Sequence, residues 1–425
     1  MKPYLRRLPA LAVLAVLISG PASARTWTDK QGRKIEATLV TSDDTEVTLQ
    51  LDANNQIVKL SLARLSPEDL KFLGKSVPDA PPEKQPLPPK KEIEPVPGPV
   101  AEKEVPNFDA PWPQSVRFDE DPQIKTVTED KETKRFVYES TNYRFVCNVR
   151  LSQSVVKGFA VMFESTYNYC RALPLGISGG AKTEGKFLIL LFETKEEYVR
   201  AGGPPTSAGV YMPGKNTVMV PLTSLGVRPV GSGYMLDRDR TNGTLVHELT
   251  HQLTPGPYYQ RGAMGWFSEG IAEYVTATPY RAGLFKVKSN FDDIVAYATG
   301  YGKDDTRGRA LGEEISAPAL KDFMLMSYGN FTGPRANFNY GFGLILTTYF
   351  LHLDGEGDAA RAKKFLQALR SGKGGQEAID VLLDGRSYEE MQEAISKAWK
   401  RKRVEIKWDE SSMSESEEEA PEEDE

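Results

Sequence analysis

Histidine and cysteine are scarce in this chain: three His and two Cys in 425 residues. So few thiols exclude a disulfide-built scaffold and a Cys-rich metal cluster. Long apolar runs are missing too. Residues 8–18 form the best candidate and fall short of the roughly 20 residues a membrane helix needs. Positive charge is not in excess, since the formal net charge is −6. Residues 409–425 contain no Lys or Arg and are nearly all acidic or small polar, so an acidic, disordered tail is expected there. Without a broad basic surface, nucleic acid is not an expected partner. No internal repeat is found.

What is present points to an exported protein with two folded units. Apolar residues at 40% and charged residues at 26% are ordinary for a soluble chain, and its length suits two domains with linkers. Lys2, Arg6 and Arg7 precede the apolar run, and Ala22-Ser23-Ala24 follows it. That order reads as a signal peptide over residues 1–24, with the mature chain starting at Arg25. A membrane anchor is the competing reading, which the short apolar run opposes. After cleavage no integral membrane segment is expected. Export permits a disulfide between Cys147 and Cys170; two small buried thiols are the equal alternative.

Residues 25–74 read as a compact β unit. The segments 34–40 and 46–51 alternate apolar and polar side chains, and 57–60 makes a further short strand. Ser66-Pro67-Glu68-Asp69 opens a helix with a Ser cap, Pro at the first position and acids in the first turn. Residues 75–113 are rich in Pro, Glu and Lys, which predicts an extended linker. Residues 114–408 form a second domain. Strands are expected near 143–149, 186–192, 210–212 and 217–220, the last two joined by Pro213-Gly214-Lys215-Asn216 as a hairpin. Helices are expected at 152–173, 340–353, 359–369 and 388–403. Strands first and helices later is an α+β order.

In the first unit, Arg25-Thr26-Trp27-Thr28, Val47-Thr48-Leu49 and Leu62-Ala63-Arg64-Leu65-Ser66-Pro67-Glu68-Asp69 carry a likeness. They resemble the first homology domain of the Sla-one endocytic adaptor. The resemblance implies a small all-β SH3-like barrel; the ligand does not follow from it, and a peptide motif is the candidate.

Two of the three histidines fall in His247-Glu248-Leu249-Thr250-His251, inside a helical pattern. A spacing of four puts both imidazoles on one face, a turn apart, where they can share one zinc ion. Glu248 is rotated aside, placed to act as general base on a water. A catalytic zinc needs a third protein ligand and an open position. After a Gly/Pro-rich loop, Gly265-Trp266-Phe267-Ser268-Glu269-Gly270-Ile271-Ala272-Glu273 reads as a second helix. Glu269 would face the metal. Glu273, one turn on, would support a ligating His through its second nitrogen. His352 lies near the end of a predicted helix, where an imidazole suits the dipole.

His247-Glu-x-x-His251 with Trp266-x-x-Glu269-Gly270-x-Ala272 resembles the gluzincin metallopeptidases of the MA clan, closest in style to its aminopeptidase-like group. The resemblance implies a peptidase domain with a mixed sheet and a helical C-terminal part, a Zn²⁺ cofactor, and a peptide or protein substrate. Tyr340-Gly341-Phe342-Gly343 is similar to a Tyr-x-x-Gly segment of that group, which makes Tyr340 the candidate for stabilising the tetrahedral intermediate. The Gly-x-Met-Glu-Asn segment that grips a free amine in aminopeptidases is absent. The hairpin strand at 210–212 is instead expected to bind an extended peptide by β-addition. The rival reading is a non-catalytic exported adaptor that works through the barrel, its second domain a metal-stabilised scaffold.

Overall fold

The computed structural model describes residues 25–74, apart from 30–33, 43–44 and 52–56, and residues 106–410, apart from 119–120, 178, 238–242, 260–263, 289 and 301–307. The expected signal segment, most of the linker and residues 411–425 lie outside the described residues. The chain divides into two units, Met1–Val96 and Pro97–Glu425.

The first unit is a four-stranded antiparallel meander: β1 (Arg25–Thr28), β2 (Lys34–Ser42), β3 (Glu46–Leu51) and β4 (Ile57–Ser61). Alternation along β3 places Val47 and Leu49 in a core with Trp27, Ala37 and Leu65. Helix α1 (Pro67–Phe72) starts as its sequence predicts, with the Ser66 hydroxyl accepting from Asp69 N–H. Asp69 is buried and ties the helix to β1, accepting from Thr28 N–H at 2.7 Å and from Arg25 Nη2 at 2.6 Å. Such charge-assisted bonds are what make a buried carboxylate tolerable.

The second unit is a mixed α+β domain. After β5 (Ser115–Arg117) come β6 (Lys125–Asp130), β7 (Arg135–Glu139) and β8 (Tyr143–Cys147), then α2 (Gln153–Ala172), β9 (Phe187–Phe192), α3 (Lys195–Arg200), β10 (Val210–Met212) and β11 (Thr217–Pro221). Together they build a six-stranded sheet in the order β10-β11-β9-β8-β7-β6. Strands β8, β9 and β11 run parallel; β6, β7 and β10 are antiparallel to their neighbours. Helix α2 covers the sheet through Phe159 on Phe145 and Phe163 on Tyr143. The β10–β11 turn is the one the Pro-Gly-Lys-Asn signal predicts, with Asn216 in the left-handed region at φ 47°. A small hairpin, β12 (Val227–Val230) and β13 (Gly233–Leu236), leads towards α4 (Gly243–Leu253) and α5 (Gly265–Ala277). Beyond β14 (Tyr280–Arg281) and β15 (Leu284–Lys286), which join β5 in a sheet, come α6 (Phe291–Thr299), β16 (Glu314–Ala317), α7 (Leu320–Met324), α8 (Tyr328–Phe331) and α9 (Ala336–His352). Helices α10 (Ala360–Arg370), α11 (Gly375–Leu383) and α12 (Tyr388–Lys400) close the domain, and β17 (Glu405–Trp408) pairs with β16. Among the described residues no helix is long and apolar enough to cross a membrane.

One expectation is corrected and one open alternative is decided. Residues 106–113 are docked on the second unit and are not linker. Phe108 is buried in its core, the Asn107 amide donates to Arg171 O and Leu173 O, and the Trp112 ring packs tilted against His352, with centroids 4.7 Å apart. Composition marks where a chain cannot build a core, but a few anchors suffice to seat it on an existing one. Cys147 and Cys170 are free, buried thiols. Helix α2 does run back along β8, yet it overshoots. Cys147 ends the strand, whereas Cys170 sits about 26 Å along the helix axis at 1.5 Å per residue. A bridge needs Cα atoms within about 7 Å.

Burial pushes each thiol up to about 12. Thiolate is the reactive form, so both should resist alkylation in the native protein. Two thiols per chain are expected when the protein is denatured without reductant; none would restore the disulfide.

Candidate metal centre

Helix α4 buries Leu245, Val246, Leu249 and Leu253. That apolar stripe fixes the helix rotation, and with it the direction of His247 and His251, one turn apart. Helix α5 is buried along nearly its whole length, so Glu269 and Glu273 project from a rigid support. The four side chains are 0–8% exposed.

His247 Nε2 lies 3.0 Å from Glu269 Oε2, and His251 Nε2 lies 3.1 Å from the same oxygen. The two Nε2 atoms are 3.0 Å apart. Among the described residues, these three side chains form the one group of His, Cys, Asp or Glu suited to hold a metal ion.

The outer contacts decide where the imidazole protons sit. The Tyr259 hydroxyl donates to His251 O at 2.7 Å, so it has only lone pairs left for His251 Nδ1, 3.2 Å away. That nitrogen must carry the proton, which leaves Nε2 bare. On the other ring, His247 Nδ1 is 2.8 Å from Glu273 Oε1, a close charge contact off the line of a good hydrogen bond. An ionised carboxylate only accepts, so Nδ1 carries a proton here too. Arg309 holds Glu273 in that state, with Nε donating to Oε2 at 2.7 Å and Nη2 to Oε1. Two imidazole Nε2 atoms and a carboxylate oxygen thus converge within 3.1 Å. Three such atoms can face one another only with a positive charge between them, a proton or a metal ion. Soft-to-borderline nitrogen with one carboxylate suits zinc.

Titration behaviour agrees with that reading. Burial works against the charged form of His247, but Glu269 and Glu273 outweigh it and raise the imidazole to about 10. Burial would favour neutral Glu269, yet His251 and His247 hold it well below the usual carboxylate range. Glu273 is likewise held at about 2, by His247 and Arg309 against its burial. A site without metal retains a proton where an ion would serve.

Glu248 stands apart from the three. Its Oε2 accepts the N–H of Tyr211 at 2.7 Å, which places it between α4 and β10, the free edge of the six-stranded sheet. The Tyr340 ring centroid is 6.0 Å from that of His247, and the Arg309 guanidinium carbon lies over the Tyr340 ring, 5.0 Å from its centroid. Burial pushes the Tyr340 phenol above its usual range, so it stays a donor at neutral pH. His352 joins none of this. It pairs with the Tyr274 hydroxyl at 2.8 Å, and burial lowers its imidazole to about 4.

Sequence reasoning missed four groups that complete the centre: Tyr211, Tyr259, Arg309 and Tyr328, whose hydroxyl donates to Glu269 Oε1 at 2.8 Å. Only Tyr259, in the loop that follows the His helix, was near enough in sequence for a local signal.

Residues 19–78 match the family described as SLA1 homology domain 1, SHD1, a stretch that includes the whole small β unit. No curated protein matches the chain.

Proposed function

We propose that the second unit is a zinc-dependent peptidase of the gluzincin kind, in an exported chain whose N-terminal SH3-like unit binds a peptide motif. The observation that carries the reading is the convergence of two imidazole nitrogens and one carboxylate oxygen, with a further glutamate beside them that is not part of the group. His247 and His251 would hold the ion through Nε2, and Glu269 through Oε2. Bound there, zinc supplies a Lewis acid that polarises the scissile carbonyl and activates water.

The chain's own groups supply the rest. Glu248 takes the proton of the attacking water and returns it to the leaving amine. Its contact with Tyr211 keeps it at the sheet edge, where an extended substrate would lie along β10 by strand addition. Tyr340, protonated and close to His247, is the donor for the developing oxyanion. Glu273 and Arg309 fix the tautomer and orientation of His247.

The test is metal analysis of wild type beside His247→Ala, with both incubated with an unstructured peptide library. Wild type should carry about one zinc per chain and cleave; the variant should do neither. Wild type that neither holds nor takes up zinc would overturn the metal centre. Stoichiometric zinc without cleavage would overturn the peptidase and leave the adaptor.

A further inference from the structure

Glu269 has two carboxylate oxygens, and they have different neighbours. Oε2 faces both imidazoles at 3.0 and 3.1 Å. Oε1 faces away from them and accepts from the Tyr328 hydroxyl at 2.8 Å. Tyr328 is 43% exposed, an unusual state for a tyrosine whose hydroxyl reaches a buried carboxylate.

That reach is built into the framework. Tyr328 opens the short helix α8, capped by the Ser327 hydroxyl, which accepts from Asn330 N–H. Phe331, at the other end of α8, is fully buried against the start of α5, the helix that carries Glu269. Gly265 makes the seat: a Cβ there would lie 2.7 Å from the Phe331 ring. Asn339 on α9 donates to Phe331 O at 2.7 Å and pins the turn from the other side. The phenol is thereby held against the carboxylate by the same packing that positions α5.

We infer that Tyr328 is a positioning residue for Glu269: by engaging Oε1 it offers the metal a single carboxylate oxygen. The inference rests on the zinc-centre reading. A carboxylate with both oxygens free can turn and bind a cation through both, taking up a coordination position. Tethering Oε1 prevents that turn and leaves the position for water or substrate. Since the tether is a charge-assisted hydrogen bond to a ligand, it should also strengthen metal binding.

Two measurements test this on the full chain: zinc affinity by chelator competition, and the visible spectrum of the cobalt-substituted protein, whose intensity falls as coordination number rises. Tyr328→Phe removes only the hydroxyl. It should weaken zinc about 10–100-fold and lower the cobalt band intensity. Tyr340→Phe, which removes a hydroxyl from a ring near His247 but not from Glu269, should leave both unchanged. Melting of the metal-free proteins separates positioning from folding, because Tyr328→Phe should melt with wild type. Unchanged affinity and spectrum in Tyr328→Phe, in a wild type that binds zinc, would overturn the inference alone. A wild type that binds no zinc would overturn the centre with it.

Discussion

Glu248→Gln should keep the fold and the zinc and lose hydrolysis by about 10²–10⁴-fold, the usual worth of a general base. The substitution is sharp because of what Glu248 touches. It is not among the three atoms that converge on the metal position, so occupancy should not change. Its Oε2 accepts Tyr211 N–H at 2.7 Å. The side-chain carbonyl of Gln can accept the same N–H with nearly the same volume, so α4 should keep its seat against β10. What Gln cannot do is take a proton from water. Zinc content, melting temperature and kcat on a quenched peptide together check the prediction. Turnover within a fewfold of wild type would remove Glu248 from the mechanism.

Gly270→Ala should lower both stability and zinc affinity, although residue 270 touches no ligand atom. Helices α5 and α9 cross there almost backbone to backbone. A Cβ on Gly270 would lie 2.2 Å from Thr347 Oγ1 and 2.5 Å from Gly343 O. The threonine could rotate away, but the carbonyl belongs to a helix and cannot. The helices must separate, and Glu269, the preceding residue, moves with α5. Overpacking of this sort costs about 1–3 kcal/mol. A domain of 150–250 residues loses roughly 2–4 °C per kcal/mol, and this larger one should lose somewhat less. Gly233→Ala is the control, since nothing lies within 4 Å of a Cβ added there. Equal melting and equal zinc affinity for Gly270→Ala and wild type would show that the crossing tolerates the methyl and does not set Glu269.

The parts of this molecule that follow a local rule could be read from its sequence. The four-residue spacing of His247 and His251, the return of carboxylates at 269 and 273, the Ser66 cap and the Pro-Gly-Lys-Asn turn each depend on a few consecutive residues. The parts set by distant packing could not. Arg309 reaches Glu273 across 36 positions and Tyr328 reaches Glu269 across 59, with no periodicity linking them. The thiols stayed open between a bridge and two buried side chains for a related reason: the direction of α2 against β8 was legible, but the mismatch in their lengths decided the outcome. The end of the linker was hidden because Asn107, Phe108 and Trp112 act as single anchors in a stretch whose composition otherwise argues against structure.

The span of those contacts also sets an order of assembly. The three atoms that face one another come from residues no more than 22 positions apart, joined by one short connection between helices. Closing so small a loop carries little entropic penalty, so α4 and α5 can bring their donors together early. Arg309, Tyr328 and Tyr340 arrive only when later elements have docked. On the proposed function, an incompletely folded chain would therefore capture its ion before it could cut, and would be loaded while still harmless to itself and to its neighbours.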